Sequence, residues 1–240
     1  SVNFNTIYVM KSAQGVESAE SQTPMTELTQ ELAQKAPKGK SRINLASKPE
    51  QSLLYVGYLM KAFLNQEGIE VAGKIQKKKL SSQAKLFYQH LSTKTLTDVT
   101  QSMLEFSTNF IANQLFLIVG AEQLGAPANL NKSRKIFTEF FKNRVGLKNF
   151  VIDEGSGLSR ENKISPKELA KVLRAFDKYQ GLLPEKLQGI YAKTGTLNGV
   201  SCLAGSFDSE VYKQNRFVIL LNQTGAYREK IAKALYEKYH

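Results

Sequence analysis

The hydrophobic positions of the first third of the chain follow both helical and strand periods. Residues 2–10 alternate between apolar and polar side chains and predict a strand, whereas residues 26–36 place leucines four apart and predict a helix. Residues 53–64 are almost wholly apolar, which predicts a buried helix. Residues 68–75 alternate again and predict a second strand.

Two apolar helices are predicted in the middle of the chain, with a polar break between them. The first begins at Thr95, whose hydroxyl can cap it while Asp98 lies three residues further on. Its apolar stripe is interrupted at residues 105–110, and a second apolar helix continues to about Gly125. The tripeptide Ser107-Thr108-Asn109 therefore lies at a junction between two hydrophobic helices.

The pattern predicts two further helices before it changes period. Ser133 is expected to cap a helix that Gly146 ends. Ser165, with Pro166 in the first turn and Glu168 at the third position, is a strong start for the next helix.

The last fifty residues read as three strands and a helix. Residues 191–196, 199–207 and 217–222 are separated by Gly, Asn and Asp turns and predict an antiparallel meander, and residues 227–239 predict a helix with Ile231 and Leu235 inward. Helices followed by a meander and a terminal helix indicate a mixed α/β (α+β) fold, with helices packed on an antiparallel sheet.

Composition narrows the possible chemistry. The 240 residues are 42% hydrophobic and 22% charged, and no apolar run reaches the ~18 residues that a membrane-spanning helix needs. The single cysteine, Cys202, excludes an internal disulfide, and with only two histidines the chain offers no structural zinc pattern. We therefore expect no metal and no other cofactor.

The net charge of +12 favours an anionic partner, which could be a nucleic acid, a membrane surface or an acidic polymer. Only Lys77-Lys78-Lys79 forms a run, and the other cations are interspersed with acids. Because no nucleic-acid motif accompanies the run, it is interpreted as a solvated turn, and no nucleic-acid partner is expected.

Three motifs carry a family resemblance. They are Ser107-Thr108-Asn109, the loop Glu154-Gly155-Ser156-Gly157-Leu158-Ser159-Arg160, and Lys193-Thr194-Gly195-Thr196. In this order and separation they resemble the penicillin-binding D-alanyl-D-alanine carboxypeptidases and endopeptidases, serine enzymes with a large inserted domain. The resemblance implies that residues 1–240 are the C-terminal part of a β-lactamase/transpeptidase-like catalytic domain that is incomplete here.

The resemblance also implies roles for seven residues. Ser107 would pass a proton to the leaving amine, Asn109 would orient the substrate, and Lys193 would supply positive charge to the substrate carboxylate. The substrate-binding positions implied are Ser156, Thr194, Gly195 and Thr196, and the Thr196 N–H would form half of an oxyanion hole. Glu154 stands where the family's loop usually opens with Asp, and we assign it no catalytic role.

The nucleophile is the main departure from the family pattern. Such enzymes use Ser-x-x-Lys on a helix, where one turn separates the serine from the lysine that takes its proton. The only such string here is Ser82-Gln83-Ala84-Lys85, which lies where the family has a connecting strand and turn. We expect this string to be a chance occurrence and the nucleophile to come from an N-terminal segment of the same polypeptide.

The resemblance finally implies a function and a location. The substrates would be peptidoglycan peptide stems, β-lactams would inhibit, and the location would be extracytoplasmic and periplasmic, although no export signal is visible. One alternative is a non-catalytic peptidoglycan- or β-lactam-binding module, and a second, motivated only by charge, is a basic nucleic-acid-binding domain.

Overall fold

The computed structural model describes residues 6–45, 49–208 and 215–240. The chain separates into two compact units, Ser1–Gln89 and His90–His240. The assignment of the whole chain to one catalytic domain stays a prediction.

The first unit pairs a small antiparallel sheet with two helices. In chain order its elements are β1 (Thr6–Ser12), β2 (Gly15–Ser18), α1 (Glu27–Gln34), β3 (Gly39–Asn44) and α2 (Pro49–Gln66). The sheet has the order β2-β1-β3. Its buried core consists of Ile7, Val9, Ala33, Leu45, Tyr55 and Leu59.

Helix α1 begins with a buried capping box. The Thr26 hydroxyl accepts from the Thr29 N–H at 3.2 Å, and the Thr29 hydroxyl accepts from the Thr26 N–H at 2.7 Å. Each threonine thus satisfies a backbone donor that the helix start would leave unpaired.

Two predictions for this unit are wrong. Helix α2 buries only one face, on which Tyr55 and Leu59 lie, while Leu53 and Met60 are 54% and 59% exposed. Residues 68–75 form no strand, although they alternate, because no neighbouring strand pairs with them among the described residues. The strand predicted over residues 2–10 is observed from Thr6 onward, and residues 2–5 lie outside the described residues.

The second unit contains five α-helices and a four-stranded sheet within the described residues. The helices are α3 (Leu96–Phe106), α4 (Asn109–Leu124), α5 (Leu130–Phe140), α6 (Pro166–Ala175) and α7 (Tyr227–Tyr239), with a π-helical turn at Phe141–Val145 and a 3-10 helix at Asp177–Leu182. The strands are β4 (Phe150–Val151), β5 (Lys163–Ile164), β6 (Glu185–Leu187), β7 (Ile190–Leu197), β8 (Val200–Phe207) and β9 (Asn215–Leu221).

The predicted antiparallel meander is the sheet β6-β7-β8-β9. Lys193 is opposite Ala204 and Thr196 is opposite Ser201, so the motif strand β7 is paired with β8 along its whole length. Helix α7 covers this sheet, and the core between them consists of Ile190, Ala192, Leu203, Phe207, Phe217, Ile219 and Ala232.

One edge of β7 is only half covered. The short strand β6 pairs only with Ile190 and Tyr191, and the Pro184 carbonyl oxygen accepts from the Ala192 N–H at 3.0 Å. From Lys193 onward, the described residues add no strand to this edge. Because N–H groups two residues apart on a strand point the same way, the Thr194 and Thr196 N–H groups face the open edge.

Helix starts were predicted with mixed success. Thr95 caps α3 in a capping box with Asp98, and Ser165 caps α6, both as predicted. The prediction for Ser133 is wrong, because Asn129 caps α5 and Ser133 lies inside the helix. Ser133 is fully buried against Gly120, where a Cβ would collide with it.

The terminal helix was predicted with its bounds, but one inward residue is wrong. Ile231 is 39% exposed, and Ala232 is the buried residue in its place. Leu235 packs against the core as predicted. None of the helices formed by the described residues combines the length and the apolar character that a membrane span needs.

Candidate active site

Ser107 lies on a strained turn between two helices. It is the C-cap of α3, with φ 53° and ψ 48°, and is the only non-glycine residue with positive φ among those described. An L-residue in this left-handed conformation costs about 1–2 kcal/mol. Such strain is common at functional sites, where the surrounding structure enforces it.

The Lys193 ammonium joins this turn to β7. Its Nζ donates to the Ser107 hydroxyl and to the Thr194 carbonyl, the latter at 3.1 Å. Burial lowers the pKa of Lys193, and the positive charges of Lys186 and Arg228 lower it further. The structure therefore places a half-buried cation with a weakened hold on its proton against a serine hydroxyl.

An open cleft of about 510 Å³ contains this contact. The structure brings all seven predicted site residues together along it, namely Ser107, Asn109, Ser156, Lys193, Thr194, Gly195 and Thr196. Apolar walls are added by Met103, Leu104, Leu158, Leu197 and Val200. The catalytic and binding roles of the seven residues stay predictions.

The loop 154–160 is organised by the Glu154 carboxylate. It accepts from the Ser156 N–H at 2.7 Å, the Ser159 N–H at 3.3 Å and the Asn162 amide at 2.8 Å, and it also bonds the Ser156 hydroxyl. Burial alone would raise the pKa of Glu154, but the hydrogen bonds from Ser156 and Ser159 outweigh it and lower the pKa. Glu154 therefore holds the loop in shape.

The loop rests directly on α4. A Cβ at Gly155 would lie 2.6 Å from the Ala112 carbonyl oxygen and 2.7 Å from the Phe116 Cβ, so only glycine fits there. The Asn113 side-chain oxygen accepts from the Gly155 N–H at 2.8 Å and from the Ser156 N–H at 3.2 Å. Close packing at Gly155 and two hydrogen bonds thus fix the loop over the helix that begins at Asn109.

Sequence reasoning missed Asn113. The available signal was its position four residues after Asn109, which places the two on one face of α4, and its polarity inside an apolar run. It also missed Arg228, which belongs to no recognisable motif. The Arg228 Nη1 lies 2.9 Å from the Gly195 carbonyl oxygen and 2.7 Å from the Thr196 hydroxyl.

The Ser82-x-x-Lys85 string has no catalytic geometry. Ser82 lies in a turn and Lys85 in irregular chain, and both are exposed. Without a helix, the two side chains are not held one turn apart as the mechanism requires. No three His, Cys, Asp or Glu side chains in the described ranges form a group that could hold a metal ion.

Comparison with known proteins identifies the family. The model of the D-Ala-D-Ala carboxypeptidase 3 (S13) family matches residues 2–184. The chain belongs to the D-Ala-D-Ala carboxypeptidase 3 (S13) family. The matched range ends before β7, so the contribution of Lys193 and its neighbours to the site rests on the motif and on the geometry.

One similar protein is D-alanyl-D-alanine carboxypeptidase DacB of Haemophilus influenzae, at 29% identity over 206 residues. The match covers 75% of this chain and 43% of that protein, so the chain spans less than half the length of this relative.

Two crystal structures of penicillin binding protein 4 (dacB) from Haemophilus influenzae share the fold. One of them has a TM-score of 0.71 at 20% identity, covering 97% of this chain and 66% of that one. The complex with a novel β-lactam has a TM-score of 0.69 at 21% identity, covering 97% and 69%. The predicted fold class, helices packed on an antiparallel sheet, is confirmed by the likeness to these structures.

Proposed function

We propose that this chain carries the substrate-gripping part of the active site of a serine-type D-Ala-D-Ala carboxypeptidase that acts on peptidoglycan peptide stems. The observation that carries the proposal is the contact between Lys193 Nζ and the Ser107 hydroxyl, in a cleft lined by all seven predicted site residues. Membership of the S13 family supports the substrate class.

The proposed reaction passes through an acyl-enzyme. A serine in an N-terminal segment of the same polypeptide gives its proton to the lysine of its Ser-x-x-Lys motif and attacks the carbonyl carbon between two D-alanines. The C–N bond then breaks as the terminal D-alanine leaves. Water then attacks the ester and releases the shortened peptide. The amine that leaves must gain a proton, and we assign the supply of this proton to Ser107.

The Ser107–Lys193 contact suits this proton transfer. The Ser107 oxygen accepts a hydrogen bond from Lys193, so the hydrogen of the hydroxyl is left to donate into the cleft. Because burial lowers the pKa of Lys193, this lysine can replace the proton that Ser107 gives away more readily than an exposed lysine could. Asn109, at the start of α4, would orient the peptide beside them.

The charges around the cleft suit an anionic substrate end. Lys186 and Arg228 both lie near enough to lower the pKa of Lys193, so three cations act on this region. We propose that the substrate carboxylate binds to Lys193 and to the hydroxyls of Thr194 and Thr196, with Gly195 leaving room beside them. The Thr196 N–H, on the open edge of β7, would donate to the oxyanion.

The Ser156 hydroxyl already has a carboxylate partner. This hydroxyl donates to the Glu154 carboxylate, so the loop contributes to the cleft mainly through the shape of its wall. We therefore propose that Ser156 contacts substrate while held by Glu154, and that Glu154 has no proton-transfer role.

Labelling with a fluorescent penicillin tests the proposal on the full-length protein. We expect covalent label on a serine N-terminal to this chain, and we expect Ser107→Ala to slow acylation about 100-fold or more, as loss of a general acid–base does. Ser102→Ala is a matched control, because Ser102 is exposed on α3 and does not line the cleft. Label on Ser82 would contradict the proposal.

The same experiment addresses the non-catalytic alternative. Its supporting observation is that the chain's only Ser-x-x-Lys lies outside any helix. Reversible penicillin binding by the full-length protein, with no covalent label, would favour a binding module. Digestion of stem peptides compared with cross-linked peptides would separate carboxypeptidase from endopeptidase activity. An extracytoplasmic, periplasmic location follows from the proposed substrate and is testable by cell fractionation.

A further inference from the structure

Arg228 contacts the C-terminal end of the motif strand β7. Its Nη1 lies within hydrogen-bond distance of the Gly195 carbonyl (2.9 Å), the Thr196 hydroxyl (2.7 Å) and the Cys202 carbonyl (3.2 Å). Gly195 and Cys202 are opposite each other on β7 and β8. One guanidinium nitrogen therefore fixes both strands at the point where β7 borders the cleft.

The placement of Arg228 is not explained by the helix that carries it. Arg228 is the second residue of α7, where the positive end of the helix dipole disfavours a cation. Its side chain is only 15% exposed, and Glu229 accepts from its Nε at 2.6 Å. The neighbouring carboxylate thus holds a largely covered cation in a position that helix stability alone would not select.

Arg228 orients the hydroxyl of Thr196. A hydroxyl has one hydrogen and accepts through its lone pairs, so an oxygen that accepts from Arg228 directs its own hydrogen elsewhere. Thr196 also lines the cleft. The hydrogen bond from a cation strengthens the hydroxyl as a donor toward an anion there.

Arg228 also orients the backbone N–H of Thr196. The Gly195 carbonyl and the Thr196 N–H belong to one planar trans peptide, so they point in opposite directions. Anchoring the carbonyl on Arg228 directs the N–H away from Arg228. This agrees with the N–H period of β7, in which Ala192 donates to Pro184 and Thr196 faces the same, open edge.

We infer that Arg228 is a positioning residue that aims both donors of Thr196, its hydroxyl and its N–H, into the cleft. This inference rests on the proposed function, in which the N–H meets the oxyanion and the hydroxyl meets the substrate carboxylate. Arg228 acts through Thr196 and touches no reacting atom. The bond-forming and bond-breaking steps are those of the proposed acylation, unchanged.

The test compares Arg228→Met, Arg228→Lys and the control Lys233→Met in the full-length protein. Lys233 is on the same helix, 72% exposed and paired with Glu237, so its removal changes charge equally without touching β7. Hydrolysis of a D-Ala-D-Ala peptide is measured, with rates normalised to the molecules that a labelled penicillin titrates. Normalising removes any loss that comes only from unfolded protein.

Arg228→Met should lower the normalised kcat about 10- to 100-fold, and by a larger factor than it raises KM, because oxyanion contacts form only in the transition state. Arg228→Lys should recover part of the loss, and Lys233→Met should match the wild type. A wild-type rate for Arg228→Met, or an equal loss in Lys233→Met, would overturn the inference. If the wild type takes no penicillin label, the proposed function itself fails.

Discussion

Gly155→Ala tests whether the loop 154–160 depends on close packing against α4. The new methyl carbon would lie 2.6 Å from the Ala112 carbonyl oxygen and 2.7 Å from the Phe116 Cβ, and neither atom can swing aside. Overpacking of this kind costs about 1–3 kcal/mol. If the loop lifts to relieve it, the hydrogen bonds from Gly155 and Ser156 to Asn113 lengthen or break, at about 1 kcal/mol each.

Either response should lower the free energy of unfolding by about 1–3 kcal/mol. In a protein of this size or larger, that corresponds to a fall in Tm of about 2–4 °C per kcal/mol. Urea unfolding and thermal melting of the full-length protein measure it. Penicillin acylation should slow as well, because the displaced loop carries Ser156 along the cleft wall.

Gly181→Ala is the matched control. A Cβ at Gly181 meets nothing within 4 Å, and its φ lies outside the positive range that disfavours L-residues. This substitution should be neutral, or stabilising by about 0.4–1 kcal/mol through the unfolded chain. Equal unfolding free energies for the two variants, within about 0.5 kcal/mol, would refute the packing argument.

Three further substitutions separate strain, charge and hydrogen bonding. Ser107→Gly should abolish most activity yet raise the free energy of unfolding by about 1 kcal/mol, because glycine adopts φ 53° without strain. A lower free energy of unfolding in urea would disprove the strain. Lys193→Met should raise stability at neutral pH while abolishing acylation, because a lysine whose folded pKa is lowered destabilises the fold until the pH rises through that pKa. Melting temperatures should therefore rise with pH in that range in the wild type and not in Lys193→Met, and an equal rise in both would argue against this. Glu154→Gln should lower the free energy of unfolding at neutral pH, because a carboxylate with a lowered pKa stabilises the fold above its unfolded pKa of about 4.3 and loses that effect as the pH falls through the folded value. The variant should therefore lose less stability in acid than the wild type, and an equal loss of stability in acid would contradict this.

The second unit was predicted well because its signals are local. A cap such as Thr95 or Ser165 bonds a backbone group three residues away, and the strands β7 to β9 alternate between turns that the sequence marks. The failures lie where a distant partner decides the outcome. Residues 68–75 alternate like a strand, but a strand also needs a neighbour to pair with, which alternation cannot supply.

Ser133 shows the same limit inside a helix. A serine before an apolar stripe fits an N-cap, yet Asn129 caps α5, and Ser133 is buried where Gly120 leaves room for it. The choice depends on the packing of α4 on α5, which sequence period does not encode. Among the site residues, Ser107, Asn109 and Lys193 were predictable because they belong to motifs with a recognisable order.

The residues that were missed share a different property from those that were found. The predicted site residues line the cleft, whereas Asn113 and Arg228 bind backbone groups. Asn113 accepts from the N–H groups of Gly155 and Ser156, and Arg228 donates to the carbonyl of Gly195. Any side chain with the right donor or acceptor at the right distance can hold a backbone group, so the sequence shows no fixed spacing for such partners. Substitutions at Asn113 and Arg228 should therefore change how fast a bound peptide reacts more than how tightly it binds, because they alter the aim of groups that act in the transition state. The converse is expected for the hydroxyl of Thr194, which would contact the substrate carboxylate before and after the reaction.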